Sequence, residues 1–164
     1  MSATESGPDV LDSFDPIDTI RVLTLHEVRF VLIGGLAAAV AGAPVPTAEI
    51  EVCYDRSPSN LVALSQALST LRAEPNPDSK VLVGGGRVWC GTRNGELQLV
   101  GIPDGTTGFD DIHRGSVQLD LGDGLRVNVA GLADQIRIAA SSARVVDRAR
   151  VDILRAVAAV VDPA

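Results

Sequence analysis

The stretch from Phe30 to Tyr54, FVLIGGLAAAVAGAPVPTAEIEVCY, constrains the fold more than any other part of this chain. Phe30–Ile33 is a short unbroken apolar run, the pattern of a strand covered on both faces. Gly34-Gly35 punctuates it, and the small residues Leu36–Ala41 favour helix. Pro44 and Pro46 bound a loop. Glu49–Tyr54 then alternates, with Glu49, Glu51 and Cys53 on one face and Ile50, Val52 and Tyr54 on the other. Such a succession commits the chain to a sheet with helices packed on it.

Two glutamates on one strand face repel each other unless water or a cation intervenes. Two accounts therefore stand side by side: a metal-ligating carboxylate pair, or a solvent-facing strand edge. Gly34-Gly35 has the same duality. It either starts a helix whose free N–H groups and positive dipole end suit a phosphate, or it simply permits a tight strand-to-helix turn.

The 164 residues suffice for one domain with a substantial core, built from Ala, Val, Leu and Ile because aromatics make up only 3%. A net charge of −7 gives no global attraction to nucleic acid or anionic lipid. Thirteen of the basic residues are Arg and one is Lys80; Arg137, Arg144, Arg148, Arg150 and Arg155 crowd near the C-terminus and read as a solvated helical face. Cys53 and Cys90 lie in apolar strand-like segments and read as small buried thiols of a reduced, cytoplasmic protein. The opening residues MSATESGPDV have neither the basic nor the apolar region of a signal peptide. Phe30–Val45 is too short and too interrupted for a membrane span.

Residues 1 to about 14 are polar and acidic and are expected to form a disordered tail, leaving a single domain over residues 15–162. Asp15-Pro16 starts a helix with Ile17, Ile20, Leu23 and Val28 inward, and Ser57-Pro58 starts another through Leu71. His26 and His113 read as structural or exposed. Val81–Val83 reads as a short strand, and Gly84–Gly86 as a turn without chemistry. Asn94-Gly95 and Gly122-Asp123-Gly124 mark two hairpins, with a helical turn at Phe109–His113 between them. Helices are expected over Leu132–Ala143 and Val146–Val161, the latter packing through Val151, Leu154, Val157 and Val161. The fold class is α/β or α+β with a small mixed sheet.

Three segments together resemble the nucleotidyltransferase superfamily, in particular its minimal nucleotidyltransferase and abortive-infection toxin branches. They are LIGGLAAAVAGAPVPTAEIEV from Leu32 to Val52, GELQLVG from Gly95 to Gly101, and LADQIRIAASSARVVDRARVDIL from Leu132 to Leu154. The resemblance implies a nucleotidyltransferase-like fold, a small mixed β-sheet flanked by helices. It implies nucleotide binding at Gly34, Gly35 and Thr47, and a metal site for Mg²⁺ or Mn²⁺ at Glu49 and Glu51. Gln98 falls at the position of a third, catalytic acid. Arg144 and Asp147 match an arginine and an aspartate of the C-terminal segment.

The departures fall on the chemistry. Glu49 and Glu51 stand where the family has aspartates, each arm longer by one methylene, and magnesium tolerates displaced ligands poorly. Gln98 offers an oxygen but no charge and no basicity. Val45 stands where the family often has arginine, and Ala139 where it commonly has lysine. The expectation is a nucleotidyltransferase-fold protein with transfer activity lost or much reduced, which keeps nucleotide or partner binding. One alternative is an active metal-dependent transferase using Glu49 and Glu51 on an RNA, protein or small-molecule acceptor. The other is a non-catalytic interaction module of a toxin–antitoxin or regulatory pair. A nucleoside triphosphate and a protein are the expected partners; the acidic charge disfavours nucleic acid.

Overall fold

The computed structural model describes residues 14–161. The expected N-terminal tail lies outside the described residues except for its last member, Phe14. That residue is not tail-like: it packs against the main core, and the neighbouring Asp15 N–H donates to the Asn94 carbonyl.

Helix α1 (Pro16–Leu25) begins as expected, with the Asp15 carboxylate accepting from the Asp18 N–H and proline in the first turn. Its Ile20 and Leu23 are buried, whereas Ile17 stays exposed. Strand β1 (Phe30–Ile33) leads directly into α2 (Gly34–Val40), and β2 (Glu49–Tyr54) follows the proline loop. Helix α3 (Pro58–Thr70) starts where Ser57-Pro58 predicts, but the Ser57 hydroxyl does not cap it. Asp55 holds the turn by accepting from the Ser57 N–H at 3.0 Å.

The expected strand at Val81–Val83 is instead part of a helix, α4 (Ser79–Gly84). Asp78 caps it by accepting from the Lys80 N–H, and Gly85 ends it in the left-handed conformation at φ +77°. Three apolar residues cannot by themselves distinguish strand from helix; the cap decides here. Strands β3 (Arg87–Thr92) and β4 (Gly95–Val100) form the expected hairpin. The helical turn at Phe109 becomes α5 (Phe109–Arg114), followed by the second hairpin, β5 (Val117–Asp120) and β6 (Arg126–Val129).

The C-terminal part runs α6 (Leu132–Ser141), α7 (Val145–Arg148) and α8 (Val151–Val161). The single helix expected over Val146–Val161 is thus interrupted between α7 and α8, and its last residue, Val161, is exposed rather than packed. Among the described residues no helix is long and apolar enough to cross a membrane.

The six strands form one mixed sheet in the order β3-β4-β2-β1-β6-β5. β2 pairs antiparallel with β1 and parallel with β4, so it lies well inside the sheet. β6 joins β1 in parallel, through Leu32 beside Val129. One sheet face carries Leu32, Ile50, Val52, Leu97 and Leu99, covered by Leu23 of α1, Leu64 and Leu68 of α3 and Leu82 of α4. On this side the buried Tyr54 hydroxyl donates to the Leu82 carbonyl at 2.7 Å, and burial pushes the phenol up to about 12. The opposite face is apolar at Val31, Ile33, Cys53 and Val100 under α5, but polar at Glu49, Glu51 and Gln98. Cys53 and Cys90 are both buried and free, as expected, and burial raises the Cys53 thiol to about 12, which makes it a poor nucleophile.

Two acidic side chains tie separate elements together. Arg93 and Asn94 both donate to Asp18, joining α1 to the β3–β4 turn. Arg137 donates to Asp111 at 3.0 Å and to Asp134 at 2.8 Å, joining α6 to α5. The hydrogen bonds from Asn94 and Arg93, and that from Arg137, hold the Asp18 and Asp111 carboxyls below their ordinary 3.8. A carboxyl with a depressed folded-state value stabilises the fold above its ordinary value and loses that contribution as pH falls through the depressed one. Stability, followed by chemical denaturation from about pH 5 down to about pH 2, is therefore expected to fall more steeply for the wild type than for Asp18→Asn/Asp111→Asn. Parallel curves would show that these pairs carry none of the acid sensitivity.

Candidate functional site

β2 is an interior strand, and on its polar face Glu49 is half-buried. Glu51 lies beside Ile33 of β1 and Gln98 of β4, and is only 5% exposed. The solvent-facing strand edge considered from the sequence is therefore not where this glutamate stands. A carboxylate so buried needs an opposite charge and hydrogen bonds in place.

Arg87, from the first residue of β3, supplies both. Its Nη1 lies 2.5 Å from Glu51 Oε1 and 2.7 Å from Gln98 Oε1. One terminal nitrogen, with its two hydrogens, serves both acceptors. The Arg87 side chain is itself 16% exposed, and its guanidinium lies 6.0 Å from the centroid of Trp89, the residue beside Gln98 in the hairpin. Gln98 accepts a second, longer bond from Arg144 Nη1 at 3.4 Å.

A second charged group adjoins the first. Asp147 of α7 is buried, accepts from the Ser142 hydroxyl at 2.7 Å, and lies 3.7 Å from Arg144 Nε and 3.5 Å from Arg150 Nη1. The breaks flanking α7 turn Arg144, Asp147 and Arg150 inward together. The solvated helical face expected for the C-terminal arginines describes Arg148 and Arg155 but not Arg137 and Arg144, which are half-buried and paired, nor Arg150, whose side chain is 14% exposed.

The glycine turn meets this cluster. Gly34 has φ +72°, and a Cβ there would run into the Glu51 carboxylate. A Cβ on Gly35 would lie 3.1 Å from Thr47 Cβ and 3.5 Å from Arg150 Nη2. Thr47 donates to the Glu49 carbonyl at 3.0 Å, which sets the entry into β2. A cavity of about 20 Å³ remains between Gly34, Glu51, Gln135, Ala139, Asp147 and Arg150. It is the size of one water. Gln135 is buried; its Nε2 donates to the Ala130 carbonyl, but its Oε1 has no partner among the described residues.

Of the residues singled out from the sequence, Gly34 meets Glu51, Gly35 meets Thr47 and Glu51 lies beside Gln98, while Glu49 stands two residues before Glu51 on the same strand face, beside Glu96. Arg87 was missed, although the hairpin register could have found it: Asn94-Gly95 sets Trp89 beside Gln98, and Arg87 is two residues further along the same face. A divalent cation does not fit this donor set. The oxygens of Glu51 and Gln98 that would hold it already face one guanidinium, and Arg144 approaches Gln98 as well. Among the described residues no group of three or more His, Cys, Asp or Glu side chains could hold a metal ion. His26 bonds Thr70 at 2.9 Å on α3 and His113 stacks on Phe109, both away from these residues.

Comparison with protein-family models and with curated proteins finds no match.

Gly34→Ala is expected to destabilise the protein by at least about 1–2 kcal/mol in chemical denaturation, the cost of a left-handed backbone with a Cβ. The collision with Glu51 adds to it. Gly35→Ala, at an ordinary φ and facing a threonine that can shift, is expected to cost less. Equal losses would mean that the turn conformation is not what Gly34 supplies.

Proposed function

We propose that this protein is a nucleotidyltransferase-like scaffold whose metal-dependent transfer chemistry is lost or much reduced, and that it acts by binding a nucleotide or a protein partner. The observation that carries this reading is the Arg87 guanidinium bridging Glu51 and Gln98. Transfer from a nucleoside triphosphate needs cations on the phosphoryl oxygens and a group that takes the acceptor's proton. Glu51 is neutralised by Arg87, and the amide of Gln98 cannot act as a base. Further support comes from the meeting of Gly34 with Glu51, of Gly35 with Thr47 and of Glu51 with Gln98, with Glu49 on the same strand face, in the order the resemblance implies. Ala139 also supports it: where the resemblance implies a lysine, a small apolar side chain lines the water-sized cavity beside Glu51, Asp147 and Arg150.

Incubation of the purified protein with α-labelled nucleoside triphosphates, Mg²⁺ or Mn²⁺ and a cell lysate is expected to give no labelled acceptor. Transfer that disappears in Glu49→Ala would overturn the reading and favour an active enzyme. Calorimetry with unlabelled nucleoside triphosphates then separates the two kinds of ligand: heat of binding identifies a nucleotide, and its absence leaves a protein partner.

A further inference from the structure

The geometry points to Arg87 as a resident cation, a guanidinium that holds the place of a divalent ion between Glu51 and Gln98 and so excludes metal from the site. The inference rests on the reading of this face given above and locates its block in one residue outside the glycine and glutamate motif. Three observations carry it. Arg87 Nη1 touches an oxygen of each of the two side chains, at 2.5 and 2.7 Å. Glu51 and Gln98 are 5% and 1% exposed, so bulk water does not solvate that charge. Gln135, 6% exposed, lines the small cavity beside Glu51 and has an Oε1 without a partner among the described residues, one more oxygen at a place where positive charge would be welcome.

A cation that enters must displace a hydrogen-bonded, partly buried guanidinium and leave it without a partner. That penalty opposes metal binding whatever the length of the carboxylate arms. An acid restored at position 98 alone would meet the same arginine. Removal of the guanidinium reverses the situation. Glu51 is then a buried carboxylate without its bridging cation, with the Gln98 oxygen beside it, still approached by Arg144 at 3.4 Å, and Glu49 two residues along the same strand face. Oxygen donors of this kind suit Mn²⁺.

Mn²⁺ alone is the probe, and thermal unfolding of the full chain is the readout. The wild-type midpoint is expected to be indifferent to Mn²⁺. Arg87→Ala is expected to unfold at a lower temperature and to recover as Mn²⁺ is added. The rise should be about 5–10 °C when free Mn²⁺ is about 100 times its dissociation constant. Arg87→Ala/Glu51→Gln, which lacks the carboxylate, is expected to show no such recovery. A variant that folds only with Mn²⁺ present also supports the inference. It is overturned if Mn²⁺ raises the wild-type midpoint as much as that of Arg87→Ala. It is equally overturned if Mn²⁺ leaves Arg87→Ala unrestored, folded or not, or restores the double variant as well. Because the midpoint is blind to label transfer, this inference and the reading of the site as inactive fail on different measurements.

Discussion

An ionised carboxylate on an interior strand of a covered sheet cannot keep its water, and taking such a group out of water costs several kcal/mol. Glu51 is that carboxylate, and much of this molecule is arranged around its compensation. The β3–β4 hairpin must hold its register for Arg87 to arrive, which makes the Asn94-Gly95 turn a determinant of charge balance as well as of strand pairing. Gly34 must lack a side chain because the carboxylate occupies the space a Cβ would need. The turn therefore has a structural explanation that is independent of any phosphate.

The composition makes this solution understandable. Arginine outnumbers lysine thirteen to one, and a planar guanidinium can present several fixed donors to neighbouring acceptors, which a single ammonium does less well. Arg87 spans Glu51 and Gln98; Arg137 spans Asp111 and Asp134; Arg144 reaches both Gln98 and Asp147. The same device thus joins separate elements at three places. The net charge of −7 thus conceals a locally balanced face, on which three arginines meet the buried Glu51 and Asp147.

Elements were legible in the sequence where a single local signal decided them. β1 and β2 follow from an unbroken apolar run and from strict alternation, and α1 from its aspartate cap and proline. Val81–Val83 was misread because three apolar residues fit either structure and the deciding cap, Asp78, lies outside them. The break before α8 escaped because periodicity continues through Ala149 and Arg150. What interrupts the helix is the inward turn of Asp147 and its arginines, a tertiary demand. The residues that line this face were legible as a group, but their charge pairing was not. No local pattern links Arg87 to a glutamate on another strand, and only the sheet order brings them together.

That sheet order also divides the charged face by its time of arrival. Glu51, Arg87 and Gln98 all come from residues up to Val100, and can be paired as soon as β2, β4 and β3 have formed. Asp147 and Arg150 belong to the later part of the chain, which joins the sheet where β6 meets β1, through one register pair against the four between β1 and β2. The seam between these two parts passes beside the water-sized cavity and Gln135. Sub-global opening follows the places with fewest interactions, so the C-terminal part is the one that can lift away as a unit while the glutamate and its arginine stay paired. Its departure would part Arg144 from Gln98 and leave Arg87 holding Glu51 and Gln98.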